Sequence, residues 1–282
     1  MASVLDQLAR QPSFQSRVFA AYEALHYALG NKFAAPADGQ ANGLGGVLAG
    51  ACIVSDSLAG AAAALPLASA IAGACFLGMD GDVELAHAML RQGRCDFVVN
   101  SLDEALRILK NELRQKKPVS VCLAGSVAEN IQQMAERGVA PDLLMQAGAD
   151  QPSPATQRLV ESGAIFCRSD SVDELLARPA NHHGEIARWT LPHGTAAMLA
   201  RLDSVALALL PAADRQRRRW LEAAQRYVPR EGPPSRIASF SHVEQERFLD
   251  AVCARIMSGE VLPPVAVEVA GETMLLGGEG GT

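Results

Sequence analysis

The chain is poor in the motifs that most catalytic and structural sites require. Its six cysteines, Cys52, Cys75, Cys95, Cys122, Cys167 and Cys253, form no CxxC pair, and most stand within apolar runs. They read as buried, reduced thiols of a cytoplasmic protein, which argues against a disulfide framework and a zinc site. There is no Gly-x-Ser-x-Gly elbow and no phosphate-binding lysine motif. Positive charge is not concentrated either. The net charge is −6, and the densest basic run, "DRQRRRWLEAAQR" from Asp214 to Arg226, reads as a solvated helix face. Nucleic acid is therefore not an expected partner. The opening "MASVLDQLARQPSFQSRVF" has early charges and no long apolar region, so no signal peptide is expected. No internal repeat is visible.

Charge is missing altogether from Ser57 to Met79. That length raises a membrane-spanning helix. Pro66, the glycines and the many weakly hydrophobic alanines argue against one, and Asp56 and Asp80 bracket the run. A helix and a strand buried on both sides are expected instead, with no membrane partner.

What is present is alternation. Residues 5–30 read as a helix ending near Gly30, followed by a Gly/Pro-rich connector, "NKFAAPADGQANGLGG". "ACIVS" reads as a buried strand, 60–73 as a helix of small residues, and "ACFLGMD" as a second buried strand ending at Asp80. "VELAHAMLRQG" and "SLDEALRILKNELRQ" are amphipathic, the latter apolar at Leu102, Ala105, Leu106 and Leu109. "VSVCLAG", "PDLLMQAG" and "AIFCRS" continue as strands, with "SVAENIQQMAERG", "SPATQRLVESG" and "SVDELLARP" as helices. Uniformly apolar strands alternating with helices predict an α/β fold, a Rossmann-like parallel sheet with helices on both faces.

After Arg178 the texture changes. "PANHHGEIARWTLPHG" reads as irregular, Thr195 to Tyr227 as helical with a break near Pro211, and "PSRIASFS" as a strand. "HVEQERFLDAVCARIMSGE" is a long amphipathic helix, "PPVAVEV" a final strand, and "GGEGGT" a disordered tail. The expected division is 1–45, a helical segment and connector; 46–178, the Rossmann-like core; and 179–282, a helical segment returning strands to that core.

The turn after "ACIVS" decides whether a dinucleotide binds. A Rossmann site uses glycines for a tight turn, for close approach of backbone to pyrophosphate and for close helix–strand packing. Here "SLAGAAAA" offers only Gly60. An alanine at any position needing positive φ would cost roughly 1–2 kcal/mol. Asp80 stands where an acidic residue would bind a ribose hydroxyl, or where it would cap the next helix together with Asp82. Ser57 and Ser126 stand at expected helix starts and read as N-caps rather than nucleophiles. His182, His183 and His193 have no carboxylate spacing that suggests a metal, and read as a polar loop.

Several stretches resemble the urocanase (urocanate hydratase) family. "PLASAIAGACFLGMD" is similar to the stretch following that family's NAD-binding glycine turn. "SLDEALRILKNELRQKKPVSVCLAGSVAENIQQMAERGVAPDLL" resembles the part carrying its Gly-Asn-Ala-Ala-Glu and Arg-Gly-Val-x-Pro-Asp motifs. "ARWTLPHG" and "ALALLP…RRWLEAAQRYVPREGPPSRIASFSHVEQERFLDAVCARIMSGEVLPPV" track its C-terminal half in order. The resemblance, from about Tyr22 to Val267 with gaps, implies a shortened and divergent relative of an enzyme that uses tightly bound NAD to hydrate urocanate.

The functional positions depart from the family together. Gly-Leu-Gly-Gly-Met-Gly-Gly-Ala-Gln-Pro is here Ser57-Leu58-Ala59-Gly60-Ala61-Ala62-Ala63-Ala64-Leu65-Pro66. Gly125, Ala128 and Glu129 match the second motif, while Ser126 replaces its asparagine. "MQAGADQPSP" replaces Thr-Asp-Gln-Thr-Ser-Ala-His-Asp-Pro. The family's catalytic cysteine falls on Asn181, although Arg188 and Trp189 remain, and "FSHVEQE" replaces Val-Gly-Leu-Gly-Asp-Arg-His. The resemblance thus implies a kept framework without hydration chemistry, serving in ligand binding, regulation or assembly as a homo-oligomer or with a protein partner, and with no cofactor. The alternative is an enzyme holding NAD or a related nucleotide in an altered site, through Ser57, Gly60, Asp80, Gly125 and Ser126.

Overall fold

Apolar runs of four to six residues, bounded by polar turns, become the central strands of a parallel sheet. The computed structural model describes residues 13–33, 46–146, 151–168, 184–228 and 232–278. The chain divides into two compact units, Ala20–Ala177 and Met1–Phe19 with Arg178–Thr282.

In the first unit the strands are β1 (Cys52–Ser55), β2 (Cys75–Asp80), β3 (Phe97–Val99), β4 (Ser120–Ala124), β5 (Leu143–Gln146) and β6 (Ile165–Arg168). Their order is β3-β4-β2-β1-β5-β6, all parallel. Sequence direction reverses between β1 and β5, the switch point at which α/β sheets open a crevice at their carboxyl edge. One pleat face, with Cys75, Leu77, Met79, Val121 and Leu123, packs on Leu102, Ala105, Leu109, Ile131 and Met134. From the opposite pleat Ser120 donates its hydroxyl to Pro66 O at 3.1 Å. Helices thus cover both faces, as the alternation predicts.

Capping sets the helix starts. Asp82 accepts the Glu84 and Leu85 amides before α3 (Val83–Arg91), and Ser101 accepts that of Glu104 before α4 (Leu102–Gln115). Ser126 caps α5 (Val127–Glu136) and Ser153 caps α6 (Pro154–Glu161). Near the unit's amino edge, Asp142 accepts the Cys52 amide at 2.8 Å and pairs with Lys32 at 2.7 Å.

The structure corrects two expectations in this unit. The helix α1 spans Phe14–Phe33 and runs through Gly30, its last turn held by the Lys32 pair with Asp142. The helix expected over 60–73 is a 3-10 turn, Gly60–Ala64, followed by α2, Leu65–Ala72. Pro66 has no amide hydrogen and is accommodated in a helix's first turn, so the α-helix restarts there.

The second unit departs further from expectation. Its strands, β7 (Glu185–Thr190), β8 (Ser235–Phe240), β9 (Val265–Val269) and β10 (Glu272–Leu276), form a sheet of their own, ordered β10-β9-β7-β8. Every pairing in it is antiparallel, so these strands do not return to the parallel core. A strand–helix–strand rhythm fits either sheet, because periodicity records burial and not the direction of the neighbouring strand. β7 lies inside the stretch expected to be irregular. β10 follows a tight hairpin at Ala270 and Gly271, both at positive φ.

The helices of this unit are α7 (Ala196–Leu209), α8 (Arg215–Tyr227) and α9 (His242–Met257), with the expected break at Pro211. Trp189 packs on Phe240 and Phe248, and Phe19 meets Trp220 edge-on at 5.0 Å. Arg217, buried, is bound by Asp214 at 2.6 Å and Glu244 at 2.7 Å. The segment "SVDELLARP", most of the tail "GGEGGT", and His182 and His183 lie outside the described residues. His193 is exposed.

Candidate functional site

The five candidate residues gather at the carboxyl edge of the parallel sheet: Ser57 and Gly60 after β1, Asp80 ending β2, Gly125 and Ser126 after β4. The chain leaves β1 into a turn whose backbone is unstrained. Gly60, at φ 58°, is its one residue in the left-handed region; none of Ala59 and Ala61–Ala64 is. The alanines therefore carry no conformational penalty, and the retained glycine stands where the turn needs it.

What the turn does with its amides is decisive. Leu58 N–H donates to Asp80 Oδ2 at 2.9 Å, and Asp82 N–H donates to Asp80 Oδ1 at 3.0 Å. Ala59 N–H is taken by Ser57 Oγ at 3.1 Å, and Ala62 N–H by Ala59 O at 3.1 Å. Ser57 is therefore not a helix N-cap but closes a small side-chain turn ahead of the 3-10 segment. Leu58 is fully buried and covers Gly78, where an added Cβ would lie 2.2 Å from its Cδ2. Gly125, at φ 141°, donates its amide to Asp80 O at 3.0 Å, and Ser126 caps α5 at Glu129 N, 3.4 Å away. Asp80 thus sits between the β1 turn, the start of α3 and the loop after β4.

Residues 32–155 match the Urocanase Rossmann-like domain, and residues 184–269 match the Urocanase C-terminal domain. Together the two matches span most of the chain. The chain belongs to the urocanase family. The resemblance to that family thus holds across both parts.

The family implies NAD, whose pyrophosphate makes a definite demand on this turn. Phosphate binding at a strand–helix turn needs main-chain amides that point outward without partners. In this urocanase relative the amides of Leu58, Ala59 and Ala62 are bonded within the turn. Each Asp80 oxygen already accepts one main-chain hydrogen, which leaves a ribose diol only the second lone pair of each. In this geometry the turn's own bonds compete with a dinucleotide for these groups.

Nucleophilic chemistry finds little support nearby. Burial, with Cys75 and Asp142 adding to it, pushes the Cys52 thiol up to about 12, and burial pushes Cys75 up to about 11. Such thiols are not nucleophiles near neutral pH. The neighbouring Cys122 thiol holds Cys95 below its usual value, but both side chains are buried. Arg188, kept from the family, makes a cross-strand pair with Glu268 at 3.5 Å and bonds Ser16. Trp189 beside it is core. Among the described residues no cluster of three metal-ligating side chains occurs, and no helix is long and apolar enough to cross a membrane.

Sequence reasoning located Asp80 by its distance from the turn, but not what it binds. Its partners are main-chain hydrogens, which no residue letter encodes. We expect Asp80→Ala to destabilise the protein by about 2–3 kcal/mol, since two charge-assisted acceptors are lost. Asp80→Asn should retain about half of that. Urea denaturation without added nucleotide measures both.

Proposed function

We propose that this urocanase-family protein has given up urocanate hydration and serves in ligand binding, regulation or assembly, as a cytoplasmic homo-oligomer that carries no dinucleotide. The observation behind this reading is the self-bonded turn: the Leu58, Ala59 and Ala62 amides and both Asp80 oxygens, groups that would hold NAD, already bond within the protein. Hydration needs a positioned electrophile, a proton donor and polar groups that fix the substrate. The family's cysteine position falls on Asn181, and its glycine turn has become mostly alanine. A closed turn also leaves the fold independent of any cofactor, as a binding or assembly protein requires.

The test is mass spectrometry of small molecules released on denaturing the purified protein. The expected result is no NAD or related dinucleotide at stoichiometric amounts, and no rise in melting temperature when NAD is added. A dinucleotide recovered one-for-one overturns the reading. It would favour the alternative, an altered nucleotide site at Asp80, Gly60 and Gly125 serving an unknown substrate.

A further inference from the structure

The second unit holds a cleft of its own. Its floor is Arg236 on β8, a buried side chain whose strand position faces Trp189 of β7. Arg236 Nε and Nη2 both donate to one oxygen of Asp203, Oδ2, at 3.0 and 2.9 Å. The guanidinium charge is thereby balanced, while Nη1 has no partner among the described residues. Gln225 and Gln15 stand beside it in the lining. Gln225 donates its Nε2 to Asp203 Oδ2 at 2.9 Å, and Gln15 donates its Nε2 to Ser235 O at 3.2 Å. A carboxylate and a carbonyl can only accept, so both amide groups are fixed with nitrogen bonded and oxygen without a partner among the described residues. Leu199, Val228 and Pro233 supply apolar wall. The free space, open mouth included, is about 590 Å³.

The cleft thus offers a donor whose charge is balanced by Asp203, and two carbonyl acceptors. That is the complement of an amide group. A carboxylate would bring a second anion to Asp203 for the same donor, and a cation would face the guanidinium. We propose that this cleft binds a small neutral primary amide, with its carbonyl oxygen on Arg236 Nη1, its two N–H groups on the Gln225 and Gln15 oxygens, and its aliphatic remainder against Leu199, Val228 and Pro233. The site lies in the other unit from the β1 turn, so it stands whether or not a dinucleotide is found there.

The experiment uses the 15N-labelled full chain and isobutyramide, a primary amide, as the probe. The reporter is the Trp189 indole N–H, identified by its loss in Trp189→Phe; Trp189 is the cross-strand partner of Arg236. The expected result is a saturable shift with half-saturation at roughly millimolar probe, as befits a ligand of few atoms. Acetate should give no saturable shift. Gln225→Leu and Gln15→Leu should each weaken isobutyramide at least about tenfold, since each removes the acceptor of one N–H. If Gln225→Leu fails to fold, Gln15→Leu alone decides, because that residue does not touch Asp203. An unsaturated or absent shift, acetate binding as well as the amide, or folded glutamine variants that bind like the parent would each overturn the assignment.

Discussion

Gly73→Ala is expected to destabilise the protein by about 3 kcal/mol or more, a large effect for a single added methyl group. Gly73 ends α2 at φ 89°, in the left-handed region. That conformation alone costs an alanine roughly 1–2 kcal/mol. The added Cβ would also lie 2.5 Å from Gly46 N and 2.7 Å from Gly46 Cα. Both are backbone atoms and cannot rotate away. A substitution on the facing segment meets the same barrier, since a Cβ on Gly46 would lie 2.0 Å from Ala72 O. The two segments are held at this distance by the Leu48 N–H bond to Ala72 O at 2.9 Å. Gly93→Ala supplies the control. Gly93 is also left-handed, at φ 66°, but an added Cβ meets no atom within 4 Å. It should lose only the conformational part. Urea midpoints with unchanged slopes would measure the pair, and equal losses would show that the close approach to Gly46 contributes nothing.

The second large effect concerns Asp203. Asp203→Ala leaves Arg236 buried without a counter-charge and strips Gln225 of its acceptor. Removing one member of a buried pair typically costs about 3–5 kcal/mol, whereas replacing both members with apolar residues often recovers much of it. Asp203→Leu combined with Arg236→Met should therefore be markedly more stable than Asp203→Ala. The pH dependence follows from the carboxyl itself. Burial pushes Asp203 above its usual range, and Arg236 and Gln225 only partly oppose that. The folded chain then holds this proton to a higher pH than the unfolded chain does. Its contribution to stability falls as pH rises from the ordinary carboxylate value to the raised one, and is level beyond it. Denaturation across that window should show the slope in the parent protein and not in Asp203→Ala.

The sequence made the parallel sheet legible because strands buried on both faces leave uninterrupted apolar runs, as in "ACFLGMD". β3 escaped because three residues carry no period, and β7 because its residues sit among prolines and histidines that favour a loop reading. The independence of the second sheet was hidden for a different reason. Whether Val265–Val269 pairs with Trp189 or with the parallel strands is a choice between partners that look alike in hydrophobicity. At the site, the position of Asp80 was legible, while its capture of two amides was not. The Asp203–Arg236 pair had no local signal, since 33 residues separate its members. Only the fold brings them together.

The first turns of α1 have a consequence for how the chain is made. Residues up to Phe19 belong with the unit otherwise built from Arg178 onward. Gln15 bonds Ser235, and Phe19 packs on Trp220. During synthesis these residues leave the ribosome before the whole parallel sheet, yet their partners are translated some two hundred residues later, roughly ten to forty seconds at ordinary elongation rates. Until then Phe14, Val18 and Phe19 have no core to enter. The antiparallel unit must close around a segment translated long before the rest of it.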